Sequence, residues 1–238
     1  AVQIFAESGD VSTSNVVRLV KAEPTEAMLT VTPTAPWEFS YDTQEHGVEV
    51  AKDASIEGLG DVTVLYNGKE TLPVNAGTYT VAASFAEGDN YVGKVIELGT
   101  LTITKAEPGL IHLDYPETIE AVTYNGDAHT VLVTANSTVI GLGDITVLYN
   151  GTEVPPVDAG TYQVSVSIKE GENFNATVDA IPIGTLTVNK AEPTLALLTV
   201  TPTLPVSYEY GQIIEEIQAT PAEGVIGLGA ITVKYNES

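Results

Sequence analysis

The chain has 238 residues, 32 of them acidic and 9 basic, for a net charge of −23. So few cations exclude phosphate-backbone binding and adhesion to anionic lipid, both of which need Lys and Arg. The lack of cysteine excludes a disulfide framework and thiol chemistry, and no apolar run reaches the eighteen or so residues of a membrane-inserted helix.

In chain order, residues 1–20 read as a two-strand hairpin: Phe5-Ala6-Glu7 matches Phe85-Ala86-Glu87, and Val16 to Val20 matches Thr100 to Thr104. Residues 21–104 form a first full repeat. A strand is expected from Ala27 to Thr34, ended or edged by Pro33 and Pro36. Two short strands follow around Phe39, Tyr41, Val48 and Val50. Val62, Val64 and Tyr66 alternate as in a half-buried strand. Asn67-Gly68 is a hairpin turn. Tyr79, Val81, Ala83 and Phe85 alternate next, Glu87-Gly88-Asp89-Asn90 turns, and Leu98 to Thr104 closes the repeat. That makes about seven strands, with turn signals every ten residues or so and no helix, the pattern of a β-sandwich.

Residues 105–189 repeat this plan. The opening differs (Leu110-Ile111-His112-Leu113, then Val122-Thr123-Tyr124), but 141–162 nearly copies 58–79, with the turn at Asn150-Gly151. Residues 190–238 return to the first repeat's wording and stop after Tyr235-Asn236. Lys-Ala-Glu-Pro at Lys21, Lys105 and Lys190 sets periods of 84 and 85 residues. A period of this size means tandem domains, each with its own core, and excludes a solenoid. The expected fold is all-β, with tandem immunoglobulin-like sandwiches in an extended rod. Its parts are a hairpin (1–20), two full repeats (21–104, 105–189) and an incomplete third (190–238). Ala1 aligns with Val81 and Ser238 with Lys69. The sequence therefore reads either as a piece cut from a longer array or as a subunit whose residues 1–20 complete the third repeat of another copy by strand addition.

Each motif has a structural reading beside any chemical one. Ala-Gly-Thr-Tyr at Tyr79 and Tyr162 resembles the tyrosine corner of immunoglobulin-like sandwiches. The residues two positions on, Val81 and Val164, should be core. Pro24, Pro108 and Pro193 stiffen the linkers, while the linker lysines are weighed against isopeptide formation and read as solvated. The turns at 87–90 and 170–173 offer oxygen ligands to calcium but lack the spacing of a known loop. Trp37, Phe39 and Tyr41 offer an aromatic patch for a glycan, or a packed core. His46, His112 and His129 have no zinc-ligand spacing, and no nucleophile motif is visible. Gly58-Leu59-Gly60 precedes a strand and is no phosphate loop. The sequons at Asn136, Asn150, Asn175 and Asn236 matter only in a glycosylating host. No catalytic, cofactor or metal residues are expected, and the chain reads as a non-enzyme.

The run AGTYTVAASFAEGDNYVGKVIELGTLTITKAEP at 76–108 resembles the bacterial MBG/YDG-type repeat. That pattern runs Tyr-Asn-Gly, Ala-Gly-Thr-Tyr, a Gly-Asp-Asn-Tyr turn, and a closing strand ending in Thr-Lys-Ala. The second repeat departs from it at Phe174. The resemblance implies an immunoglobulin-like module of secreted or surface-anchored bacterial proteins and adhesins, outside the cell. By that resemblance it serves as stalk beside other repeats or copies of itself, with no ligand implied; the alternative reading is an adhesin module that binds a glycan or host protein through its loops, favoured by the aromatic patch around Trp37.

Overall fold

The computed structural model describes residues 2–5, 14–17 and 19–235, with side chains from residue 19 on. Within 1–20, β1 (Val2–Phe5) pairs antiparallel with β2 (Ser14–Val17). Ala6 and Glu7 of the hairpin reading, and the Asn236 sequon, lie outside the described residues.

In the first repeat the chain enters through a 3-10 turn, Glu26–Met28, before β3 (Leu29–Thr32). The expected strand from Ala27 is thus shortened. The Leu29 N–H bonds back to the Glu26 carbonyl, which closes a turn and leaves no extended ladder there. β4 (Trp37–Ser40), β5 (Glu49–Lys52), β6 (Val62–Tyr66), β7 (Gly77–Phe85) and β8 (Lys94–Thr104) follow. One sheet has the order β4-β8-β7-β6 and the other pairs β3 with β5. Six strands stand where seven were expected. β4 runs parallel to β8, with Trp37 opposite Leu101, and β6-β7-β8 is an antiparallel meander.

The second repeat has the same plan. A 3-10 turn, Leu110–His112, again replaces the start of the expected strand. β9 (Leu113–Asp114), β10 (Val122–Thr123), β11 (Thr134–Ala135), β12 (Ile145–Tyr149), β13 (Gly160–Ile168) and β14 (Ile181–Asn189) follow. The sheets are β10-β14-β13-β12 and β11-β9. In the third repeat β15 (Leu198–Thr201) pairs with β16 (Gln218–Pro221). Ile231 to Tyr235 repeats the wording of β6 but is not a strand. In the first repeat that segment is held by β7, and residues 190–238 include no equivalent of β7. The architecture is all-β, a tandem array of immunoglobulin-like β-sandwiches.

The chain divides into two compact units. The first comprises Ala1–Thr118, Val131–Val154 and Gln163–Gly184; the second comprises Ile119–Thr130, Pro155–Tyr162 and Thr185–Ser238. In the first unit, Val81, Ala83, Leu101, Val164 and Val166 are essentially inaccessible. Both valines after the tyrosine corners are therefore core. Burying each of these valine and leucine side chains contributes about 1.5–3 kcal/mol, and period-2 burial puts Val81 and Ala83 on one face of β7 and Val164 and Val166 on one face of β13. In the second unit Leu186 and Val188 are buried, and β10 pairs parallel with the end of β14.

Candidate functional site: a junction between repeats

Asn67 and Gly68 have φ of 50° and 78°, and Asn150 and Gly151 of 49° and 83°. Positive φ at both central residues defines a type I′ hairpin turn, whose twist suits antiparallel strands. Tyr66 and Lys69 close one turn with paired backbone hydrogen bonds, and Tyr149 and Thr152 close the other. The Asn side chain then reaches the next strand: Asn67 Oδ1 accepts from the Thr80 N–H at 2.9 Å and Asn150 Oδ1 from the Gln163 N–H at 2.8 Å. Tyr66 and Tyr149 before the two turns are buried, whereas Tyr235 is exposed; in all three the hydroxyl takes a backbone N–H eighteen positions earlier. Tyr66 takes that of Val48 at 2.8 Å, Tyr149 that of Val131 at 2.7 Å, and Tyr235 that of Ile217 at 3.0 Å. Tyr79 and Tyr162 donate to the carbonyls of Asn75 and Asp158, each at 2.8 Å. This is the four-residue back-bond of a tyrosine corner.

The Gly-Leu-Gly element holds the acidic turn. A Cβ on Gly60 would lie 2.1 Å from the Ala86 carbonyl oxygen, and one on Gly143 2.0 Å from that of Lys169. From the turn side, Gly88 and Gly171 approach the backbone of Gly58 and Gly141 as closely. Only glycine allows these backbones to meet. Gly229 in the third repeat has open space around it.

Within the first unit these parts converge at Asn173, a fully buried polar residue. Its N–H bonds the Gly141 carbonyl, and its own carbonyl accepts from Ala106 in the linker. Its side-chain Oδ1 accepts from the Ala76 N–H at 2.8 Å. Its Nδ2 donates to Asn75 Oδ1 at 3.1 Å and to the Ile140 carbonyl at 3.2 Å. Asn75 and Ala76 belong to the loop before the first tyrosine corner, so one side chain clasps both repeats. Around it, Phe174 is 3% exposed and meets Tyr41 edge-on at 5.4 Å and His112 at 4.8 Å between ring centres. Tyr41 Oη also donates to the Ile140 carbonyl at 3.3 Å. Burial, and secondarily the Glu172 charge, push the Tyr79 hydroxyl above its ordinary pKa.

The linker is part of this junction. Lys105 Nζ pairs with Glu170 and donates to the Gly171 carbonyl at 2.8 Å. Its hydrogen bond and charge hold the Glu170 carboxyl below the usual carboxylate range. Lys21 does the same to Glu87. Both lysines are therefore ion-paired, not simply solvated as read from the sequence, and they occupy one carboxylate of each turn weighed for calcium. Pro24 is buried, Pro108 half-buried and Pro193 exposed.

Trp37 and Tyr41 do not form an open aromatic platform. They are 3% and 5% exposed, as the parallel pairing of β4 with β8 turns them inward. Phe39 is half-buried and stacks on His46 at 4.5 Å. An open groove of about 440 Å³ lies beside Trp37, bounded by Glu26, Leu29, Val31 and Leu98. Among the described residues, no group of three or more His, Asp or Glu is placed to hold a metal, and no helix is long and apolar enough to cross a membrane.

Fold and junction define a tandem immunoglobulin-like repeat protein. The MBG domain model matches residues 27–107 and again 118–192, and the chain belongs to the MBG domain family. Such domains are typical of extracellular or surface proteins. Among solved structures, fibronectin(III)-like modules of Clostridium thermocellum CbhA align over 68% of this chain and 95% of theirs, at 13% identity and a TM-score of 0.27. That likeness is too low to carry an argument. No curated protein matches the sequence.

Proposed function

We propose that this chain is a load-bearing stalk segment of an extracellular surface protein, non-enzymatic, in which each repeat is fixed to the next. The observation that supports the reading is the complete burial of Asn173 with every polar group of its side chain engaged, across two repeats. A flexible tether would leave that amide in water, because a buried amide without partners costs about 1–3 kcal/mol. The test is 15N relaxation on the whole chain. Repeats 1 and 2 should share one rotational correlation time, and Asn173→Ala should split it. Independent tumbling in the unaltered chain would overturn the proposal. Head-to-tail strand complementation by residues 1–20 is the polymerising form of the same reading; light scattering at rising concentration separates a 25.0 kDa monomer from a ladder. The groove beside Trp37 favours a second reading, an adhesin module for a glycan or host protein. Saturable glycan binding lost in Leu98→Arg would support it.

A further inference from the structure

The clasp at Asn173 is present a second time, half-made. In the first repeat Asn90 stands where Asn173 stands in the second, Tyr91 where Phe174 stands, and Glu57 where Ile140 stands. The backbone scaffold is the same. Asn90 N–H bonds the Gly58 carbonyl, and the Asn90 carbonyl accepts from Ala22 of the preceding linker. Asn90 Nδ2 donates to the Glu57 carbonyl at 3.2 Å, as Asn173 Nδ2 does to that of Ile140 at 3.2 Å. Lys21 clamps this turn through Glu87 as Lys105 clamps the other through Glu170.

What differs is the part supplied by a neighbour. Asn173 is 0% exposed, whereas Asn90 is exposed and Tyr91 only half-buried. Asn90 Oδ1, the atom that at Asn173 takes the Ala76 N–H, accepts no hydrogen bond among the described residues. Asp89 keeps a carboxylate where Glu172 meets the Asn75 amide at 3.5 Å.

We infer that the 87–90 turn, with Glu57 and Tyr91, is a socket for the Asn-Ala-Gly-Thr loop and adjoining tyrosine of another repeat of this family. The occupant's alanine N–H would fill Asn90 Oδ1, its asparagine would bridge Asn90 Nδ2 and Asp89, and a tyrosine placed like Tyr41 would donate to the Glu57 carbonyl. The array then has a direction: each repeat presents its 75–79 loop forward and its acidic turn backward. This rests on the stalk reading, and its test keeps the two apart.

The probe is the whole chain extended by one added copy of residues 21–104 directly before Lys21. This reproduces the Thr-Lys-Ala-Glu-Pro linkage of the first junction. The readout is hydrogen exchange of the Asn90 and Asn173 side-chain amides. In the unextended chain Asn173 should exchange slowly and Asn90 fast. In the extended chain Asn90 should slow by roughly tenfold or more, as expected when opening becomes rate-determining. Ala76→Pro in the added copy, which removes the donor, should return Asn90 to fast exchange. Fast exchange at Asn90 beside slow exchange at Asn173 would overturn the socket and leave the stalk standing. Fast exchange at both would overturn the junction itself.

Discussion

Removal of the Asn173 amide is the sharpest perturbation available. Asn173→Ala deletes three side-chain hydrogen bonds, two of them to the neighbouring repeat. A typical bond contributes a net 0.5–1.5 kcal/mol, and a buried group left without a partner costs about 1–3 kcal/mol. Asn75 and Ala76 regain partial access to water in the variant, which puts the expected loss at about 3 kcal/mol. Asn90→Ala supplies the control within the same molecule. It removes one bond, at an exposed site, and should cost about 0.5–1 kcal/mol. Both are read by urea denaturation followed through Trp37, which sits in the core that Phe174 joins. For a domain of 150–250 residues the difference between the two variants, about 2 kcal/mol, corresponds to about 4–8 °C in melting temperature. Equal losses in the two variants would refute the reasoning, since the fully buried clasp would then be energetically no different from the open one.

Further expectations follow from the same geometry. Gly143→Ala and Gly60→Ala place a methyl against a backbone carbonyl and should each lose about 1–3 kcal/mol or more, whereas Gly229→Ala, with open space around it, should leave the melting temperature unchanged. Tyr149→Phe leaves the Val131 N–H buried and unpaired and should cost about 1–3 kcal/mol, measured by chemical denaturation; Tyr235→Phe, at 59% exposure, should cost less. Lys105 depresses the Glu170 pKa, so the pair's contribution is complete above the ordinary carboxylate value of 4.5 and is lost as pH falls through the lower folded value. The stability gap between the wild type and Glu170→Gln should accordingly close on acidification below 4.5 and be flat from there to neutral pH. Tyr79 should titrate above an ordinary tyrosine by ultraviolet difference absorbance, with Glu172→Gln removing only the smaller part of the shift because burial is its larger cause.

Local chemistry made part of this legible. Asn-Gly between alternating apolar residues specifies a type I′ turn, and the structure has φ values of 50° and 78° there. Ala-Gly-Thr-Tyr specifies a back-bond four residues long, which lies within one loop. The rest depends on partners far along the chain. Tyr66 and Tyr149 were legible as turn-flanking residues, but their acceptor role spans eighteen positions. The Gly-Leu-Gly element precedes a strand and so reads as no phosphate loop, and its use as a seat for the acidic turn rests on a contact between Gly60 and Ala86. Asn90 and Asn173 occupy equivalent places in two acidic turns and look alike in the sequence; the Asn75-Ala76 loop beside one of them separates them. Trp37 reads more readily as a packed core or edge residue than as a ligand platform, and it is buried, paired opposite Leu101.

The linker's pairing has a mechanical consequence. Ala106 forms a parallel bridge to Phe174, with its N–H and carbonyl bonded to Asn173 and Asn175. A chain held at two points carries tension through such a segment, and here the segment has no slack to give. To lengthen it, the ladder at Ala106, the ion pair at Lys105 and the amide clasp at Asn173 must part together, since all three hold the same acidic turn. Extension under force would then begin with a cooperative step at the joint, where a simple tether would stretch gradually at negligible load.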